Sequence, residues 1–99
     1  MEWRFKLGDV YYAAPAMPDA RRRIAVLVGR DGRAAQFAFV NELAIGEVGV
    51  VDGREIAFVD TDVGRYNVSA AVRASADEAA VIRDILRGES ARGGRHGAN

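Results

Sequence analysis

The chain of 99 residues contains no cysteine, two prolines, one histidine and, among its basic residues, a single lysine. Without cysteine there is no disulfide framework, no thiol nucleophile and no zinc site built on thiolates. The lone histidine, His96, sits among glycines near the C-terminus, so the usual nucleophile–base pairs of hydrolases cannot be assembled from this composition. Neither sign of charge is in excess, since 14 Lys and Arg stand against 14 Asp and Glu. A neutral chain has no whole-body attraction to nucleic acid or to a membrane, and either contact would need a local patch. No apolar run approaches a membrane span, and the opening MEWRFKLGD lacks the apolar stretch of a signal peptide. The expectation is a cytoplasmic protein with no membrane contact, no metal and no cofactor.

What is present is ordinary globular material, 49% hydrophobic and 28% charged, in a length that suits one domain. Trp3, Phe5 and Leu7 alternate with Glu2, Arg4 and Lys6, which predicts a half-buried strand resumed at Val10–Tyr12 after a bend at Gly8. Both prolines, Pro15 and Pro18, fall in an aperiodic stretch from Ala13 to Arg23, read as a loop. Loops of that length in small domains are uncommon and often functional. Ile24 to Val28 is apolar at every position, the pattern of a strand covered on both faces. A turn over Gly29–Arg33 leads to a strand in which Ala35, Phe37 and Phe39 alternate. Asn41 to Gly46 fits either a bend or a helical turn. Asp52-Gly53, between Glu47–Val51 and Arg54–Val59, is a strong two-residue hairpin signal. After a turn at Asp60–Gly64, Tyr66, Val68, Ala70 and Val72 alternate as a last strand.

One helix follows. Ser75 and Glu78 have capping-box spacing, Val81, Ile82, Ile85 and Leu86 form an apolar stripe, and Gly88 is placed as a stop. Residues 1–88 are expected to form one compact domain, with a disordered tail over 89–99. The fold class is mainly β (α+β by count): a small antiparallel meander of about six strands, curled into an SH3-like barrel or a strongly bent sheet to hide its edges, with one C-terminal helix lying across one end of the sheet. A single flat sheet with the helix on one face is the second choice.

Two candidate motifs lack their chemistry. Asp60-Thr61-Asp62-Val63-Gly64 breaks the calcium-loop spacing and has Ala71 at the bidentate position. It also has Asp62 where an aspartic protease needs glycine. Tyr11, Tyr12, Tyr66 and Trp3 could form a stacking platform, although such aromatics also fill cores. One of the adjacent Tyr11 and Tyr12 must face outward, and that one is the better candidate for binding. Arg21, Arg22 and Arg23 read as a solvated entry to a buried strand that discourages edge pairing, or as a working basic edge.

Gly8-Asp9-Val10-Tyr11-Tyr12-Ala13, followed by a loop and Arg22-Arg23-Ile24-Ala25-Val26-Leu27-Val28, resembles the MazF/PemK family of toxin–antitoxin ribonucleases over about the first thirty residues. Members commonly carry Gly-Asp-Ile/Val in the first strand and open the next with Arg-Pro before small and branched apolar residues; Ile24 replaces that proline here. The resemblance implies a catalytic role for Arg23, stabilising the cleavage transition state on single-stranded RNA. The Thr or Ser that assists one strand later in the family has Asn41 near its position.

The residues themselves favour a small non-enzymatic interaction module. It would act through the 13–23 loop and a sheet edge on a protein partner or on a second copy as a homodimer, with Tyr11, Tyr12, Arg21, Arg22 and Arg23 as binding residues. The alternative is a MazF/PemK-like toxin ribonuclease, or an inactive relative that binds single-stranded RNA; RNA is a partner only under that reading.

Overall fold

A computed structural model describes residues 3–18 and 20–96, with side chains as far as Arg87. Met1, Glu2, Asp19 and residues 97–99 lie outside the described residues. Six strands and one helix follow one another: β1 (Val10–Pro15), β2 (Arg23–Asp31), β3 (Ala34–Phe39), β4 (Glu42–Val51), β5 (Arg54–Thr61), β6 (Gly64–Arg73) and α1 (Ala76–His96). Every strand pairs antiparallel with its neighbours in sequence, and β6 pairs back onto β1, so the meander is a closed barrel. Closure corrects one expectation: each described strand has a neighbour on both sides, and no sheet edge is left for a partner to extend.

The alternation in the sequence sets the inside of the barrel. Tyr11, Leu27, Phe37, Val59 and Val68 point inward and are buried. Small residues separate them along the strands, with Ala13, Ala25, Ala35 and Ala57 also wholly buried. A barrel of six strands has a narrow interior, so bulky and small residues must share it. Gly46 marks the limit: a Cβ there would lie 2.5 Å from Val59 Cγ2. The Asp52-Gly53 turn has φ of 52° and 76°, the doubly left-handed geometry of the tight hairpin predicted for it. The open segment after Phe39 is a tight turn in which Asn41 adopts φ 76°, and β4 starts at once at Glu42.

Three local expectations change. Trp3 to Leu7 is not a strand. Trp3 makes one isolated bridge to Arg54, Phe5 is buried against Tyr11 and Phe37, and Leu7 sits exposed on a turn. With β6 already closed onto β1 there is no place for a further strand in the wall, so the segment plugs one end of the barrel instead. The loop is also shorter than Ala13–Arg23, because β1 runs through Pro15, paired with Tyr66 of β6. Proline is tolerated there because β2 pairs with β1 only as far as Ala13, so the missing N–H at position 15 costs no ladder hydrogen bond. Finally, α1 continues past Gly88 to His96, and it lies on the outer wall of β1–β3 rather than across an end. Ser75 caps it, its Oγ accepting from Glu78 N at 3.2 Å. Ala79, Ile82 and Leu86 pack on Val10, Val26 and Ala38, whereas Val81 and Ile85 of the predicted stripe face solvent. The Ile24–Val28 reading holds as far as Leu27: Ala25 and Leu27 face the barrel interior and Val26 lies under α1. Among the described residues no helix is long and apolar enough to cross a membrane.

Candidate functional site

The arginine run is split by the strand it opens. Arg23 is the first residue of β2 and folds over the end of the barrel. Its guanidinium lies 4.6 Å from the Phe39 ring centroid and 5.5 Å from that of Tyr66. Arg23 Nη1 donates to Glu42 Oε1 at 2.8 Å and Nη2 to the Val40 carbonyl at 3.3 Å. Glu42 Oε2 in turn accepts from Asp62 N at 3.1 Å. The Arg23 hydrogen bond, helped by that amide, holds the Glu42 carboxyl below the usual glutamate range. The residue beside Arg23 is therefore Glu42, not Asn41, and it neutralises the arginine. Thr61, in the turn at the same end, donates its hydroxyl to the Gly64 carbonyl at 2.7 Å. As arranged, these groups form a lid that seals two core aromatics.

Tyr11 and Tyr12 separate as their adjacency requires. Tyr11 is wholly buried, and its hydroxyl accepts from Lys6 N at 2.9 Å; burial pushes its phenol upward. It is a core residue and leaves the set of binding candidates. Tyr12 faces out from β1, with the Arg22 guanidinium 4.3 Å from its ring centroid. Its hydroxyl donates to Glu78 on the first turn of α1, a hydrogen bond that raises the Tyr12 phenol and lowers the Glu78 carboxyl. Arg21 is exposed on the loop.

Tyr12 and Arg22 stand at one margin of a groove of about 410 Å³ that crosses from β1 over β6 to β5. The seam between β1 and β6 is irregular there: Tyr11 pairs with Arg73 and Ala13 with Val68, so β6 carries extra residues between the two pairings. Phe58 forms the far wall, and Ala14, Asn67 and Ser69 the floor. Their placement follows from register, since Phe58 is opposite Asn67 and Asn67 opposite Ala14. The structure thus gathers Tyr12 and Arg22 at one groove and leaves Tyr11 in the core and Arg23 at the barrel end.

Sequence reading missed two features. Phe58 points outward from β5 and is 47% exposed, a ridge between this groove and a second one lined by Ile45, Glu47 and Arg65. The other is Glu55, the most buried charged residue described, at 8% exposure. It takes two hydrogen bonds from Arg30, at 2.6 and 2.7 Å, and one from Phe5 N at 2.9 Å. Arg30, with Phe5 N, holds the Glu55 carboxyl low despite its burial. A signal was there: Glu55 is in phase with the inward-facing Ala57 and Val59, and a carboxylate at such a position needs a partner. Compared with protein-family models, with curated proteins and with solved structures, the chain matches none.

Proposed function

We propose that this chain is a non-enzymatic interaction module that holds a protein partner in the groove between Tyr12 and Phe58. The partner presents an apolar side chain to Tyr12, Ile56, Phe58 and Val72, and a carboxylate to Arg22 at the rim. The observation that carries this reading is the exposure of Phe58, a large aromatic, beside an outward tyrosine and an arginine on a wall that none of the described residues covers. Aromatic and arginine side chains are the types that dominate binding energy at protein interfaces. The expected 13–23 loop contributes through Arg22, with Arg21 next to it; the sheet edge does not contribute, because the barrel has none.

A photoreactive phenylalanine analogue at position 58, in cells that make the protein, tests this. It should give a discrete adduct with one other polypeptide, and the same probe at Asp84 on the outward side of α1 should give none. Adding Arg22→Glu should weaken the adduct. The absence of any adduct at 58, or equal adducts at both positions, would overturn the reading.

A further inference from the structure

The outer rows of β3 and β4 differ in bulk. On β4 the outward residues are Leu43, Ile45 and Glu47, and Leu43 and Ile45 are 63% and 66% exposed. On β3 the outward residues are Ala34, Gln36 and Ala38. Register sets them side by side: Ala38 opposite Leu43, Gln36 opposite Ile45, Ala34 opposite Glu47. On the far side of β3, Gly29 is opposite Gln36 and adds no side chain. The wall is therefore a ridge on β4 running beside a trough that is lined by Gly29, Ala34 and Gln36 and flanked by Ile45.

A ridge parallel to a trough is self-complementary. A two-fold axis running along the strands, between β3 and β4, lays the ridge of each copy in the trough of the other. Ile45 then meets the second copy's Gln36, while Ala38, which lies under α1, stays outside the contact. Glu47 meets its Ala34, with Arg33 of that copy next in sequence. Charge fits the same operation. Arg33 and Glu47 line one groove, yet neither has an ion pair among the described residues, while the nearby Arg65 and Asp60 pair with each other at 2.8 Å. The two unpaired charges have opposite signs, and the axis brings each to the other across the interface. Isologous contacts require a patch of this self-complementary kind, and a chain of zero formal net charge does not repel its copy.

We infer that this protein forms a two-fold dimer through the β3–β4 wall, with Ile45 seated in the trough of the second copy and Arg33 paired with its Glu47. About a tenth of the 6539 Å² accessible surface would be covered per copy, roughly 650 Å², the small end of specific interfaces. An interface of that size falls among weak, transient contacts, so the dimer is concentration-dependent. Tyr12 and Arg22 lie outside the contact, whereas Phe58, opposite Glu47, borders it.

Sedimentation equilibrium of the full chain from about 5 to 300 µM, a span that brackets so weak an association, reads this directly. The wild type should shift from monomer to dimer, and Ile45→Arg should be monomeric throughout, with an unchanged circular dichroism spectrum and, at low micromolar concentration, an unchanged melting curve. Arg33→Glu and Glu47→Arg should each weaken the dimer about tenfold, and the double variant should return to within about threefold of wild type, because it restores opposite charges across the axis. A wild type that stays monomeric at the highest concentration, a dimer indifferent to Ile45→Arg, or a double variant no better than its parents would each overturn the inference.

Discussion

The two outer walls of the barrel are built from the same kind of strand but end in different surroundings. On β1–β3, Val10 and Val26 point away from the barrel interior and are 2% and 7% exposed, because α1 lies over them. On β4 and β5, Leu43, Ile45 and Phe58 also point away from the interior, and among the described residues nothing lies over them. The lesson concerns what strand patterns encode. A strand apolar on both faces signals that both faces are covered. On β2 the chain supplies the cover itself. On β4 and β5 the described residues supply no such cover, and the dimer inferred above would provide it for β4.

The largest test of this contrast replaces one outward apolar residue on the covered wall. Val26→Asp places a carboxylate under Ala79 and Ile82 with no partner for it, at a cost of about 3 kcal/mol in urea unfolding. A loss below about 1 kcal/mol would mean that α1 does not hold that wall dry. Ile82→Asp attacks the same contact from the helix side, where burial is only partial. It should cost about 1.5 kcal/mol and increase binding of an apolar dye, as Val10 and Val26 come into contact with solvent.

The contrast also shows how much of the molecule was legible. Inward rows such as Ala35, Phe37, Phe39 and Tyr66, Val68, Ala70 could be read from alternation alone, because period two decides inside from outside. The Asp52-Gly53 hairpin was legible because few residue pairs tolerate its geometry. The N-terminal run of Trp3, Phe5 and Leu7 misled because it shows the same alternation, while barrel closure is a property of β1 and β6. The partners of Arg23 and Arg30 were not legible: Glu42 and Glu55 are 19 and 25 residues away, brought near by the register and curvature of the meander. Both acids nonetheless fall in phase with inward residues at the start of their strands, Glu42 with Ala44 and Glu55 with Ala57. Acids in such positions are a usable sign of an arginine plug at a barrel end.

A smaller effect separates the walls by pH. The start of α1 is tied to the barrel by the hydrogen bond from Tyr12 to Glu78. The Glu78 carboxyl is lowered by that bond, so the tie is complete above the ordinary glutamate value of about 4.3 and is lost as pH falls through the lower folded value. The Tyr12 phenol is raised by the same bond, so the tie is complete below about pH 10 and is lost as pH rises through the higher folded value. The stability gap between wild type and Tyr12→Phe should therefore be flat near neutrality and shrink at both extremes. A gap independent of pH would show that the two groups do not titrate against each other. On the bare wall, Asp60 is likewise lowered by Arg65, but both side chains are largely exposed. Solvent screening leaves such a pair little influence on folding, so Asp60→Asn should change neither the unfolding midpoint nor its pH dependence.

The smallest expected change in folding stability is the counterpart of the largest. Ile45→Asp introduces the same carboxylate as Val26→Asp, on a strand of the same barrel, at another outward position. Within one copy, however, the Ile45 side chain is two-thirds in water, so the new charge loses almost no hydration. Its neighbours across the ladder and along the strand are Gln36, Leu43 and Glu47, and the Asp60–Arg65 ion pair lines the same groove, so Glu47 is the one uncompensated charge close by. Measured at low micromolar concentration, where a weak dimer is dissociated, unfolding of Ile45→Asp should lie within about 0.5 kcal/mol of wild type. The measurement must be paired with one at several hundred micromolar. There, wild type gains stability from association by mass action and the variant does not, so a gap opens with concentration. A variant already destabilised when dilute would place Ile45 in the folding core of the single chain. A gap that never opens would leave the bare wall without the cover its sequence pattern demands.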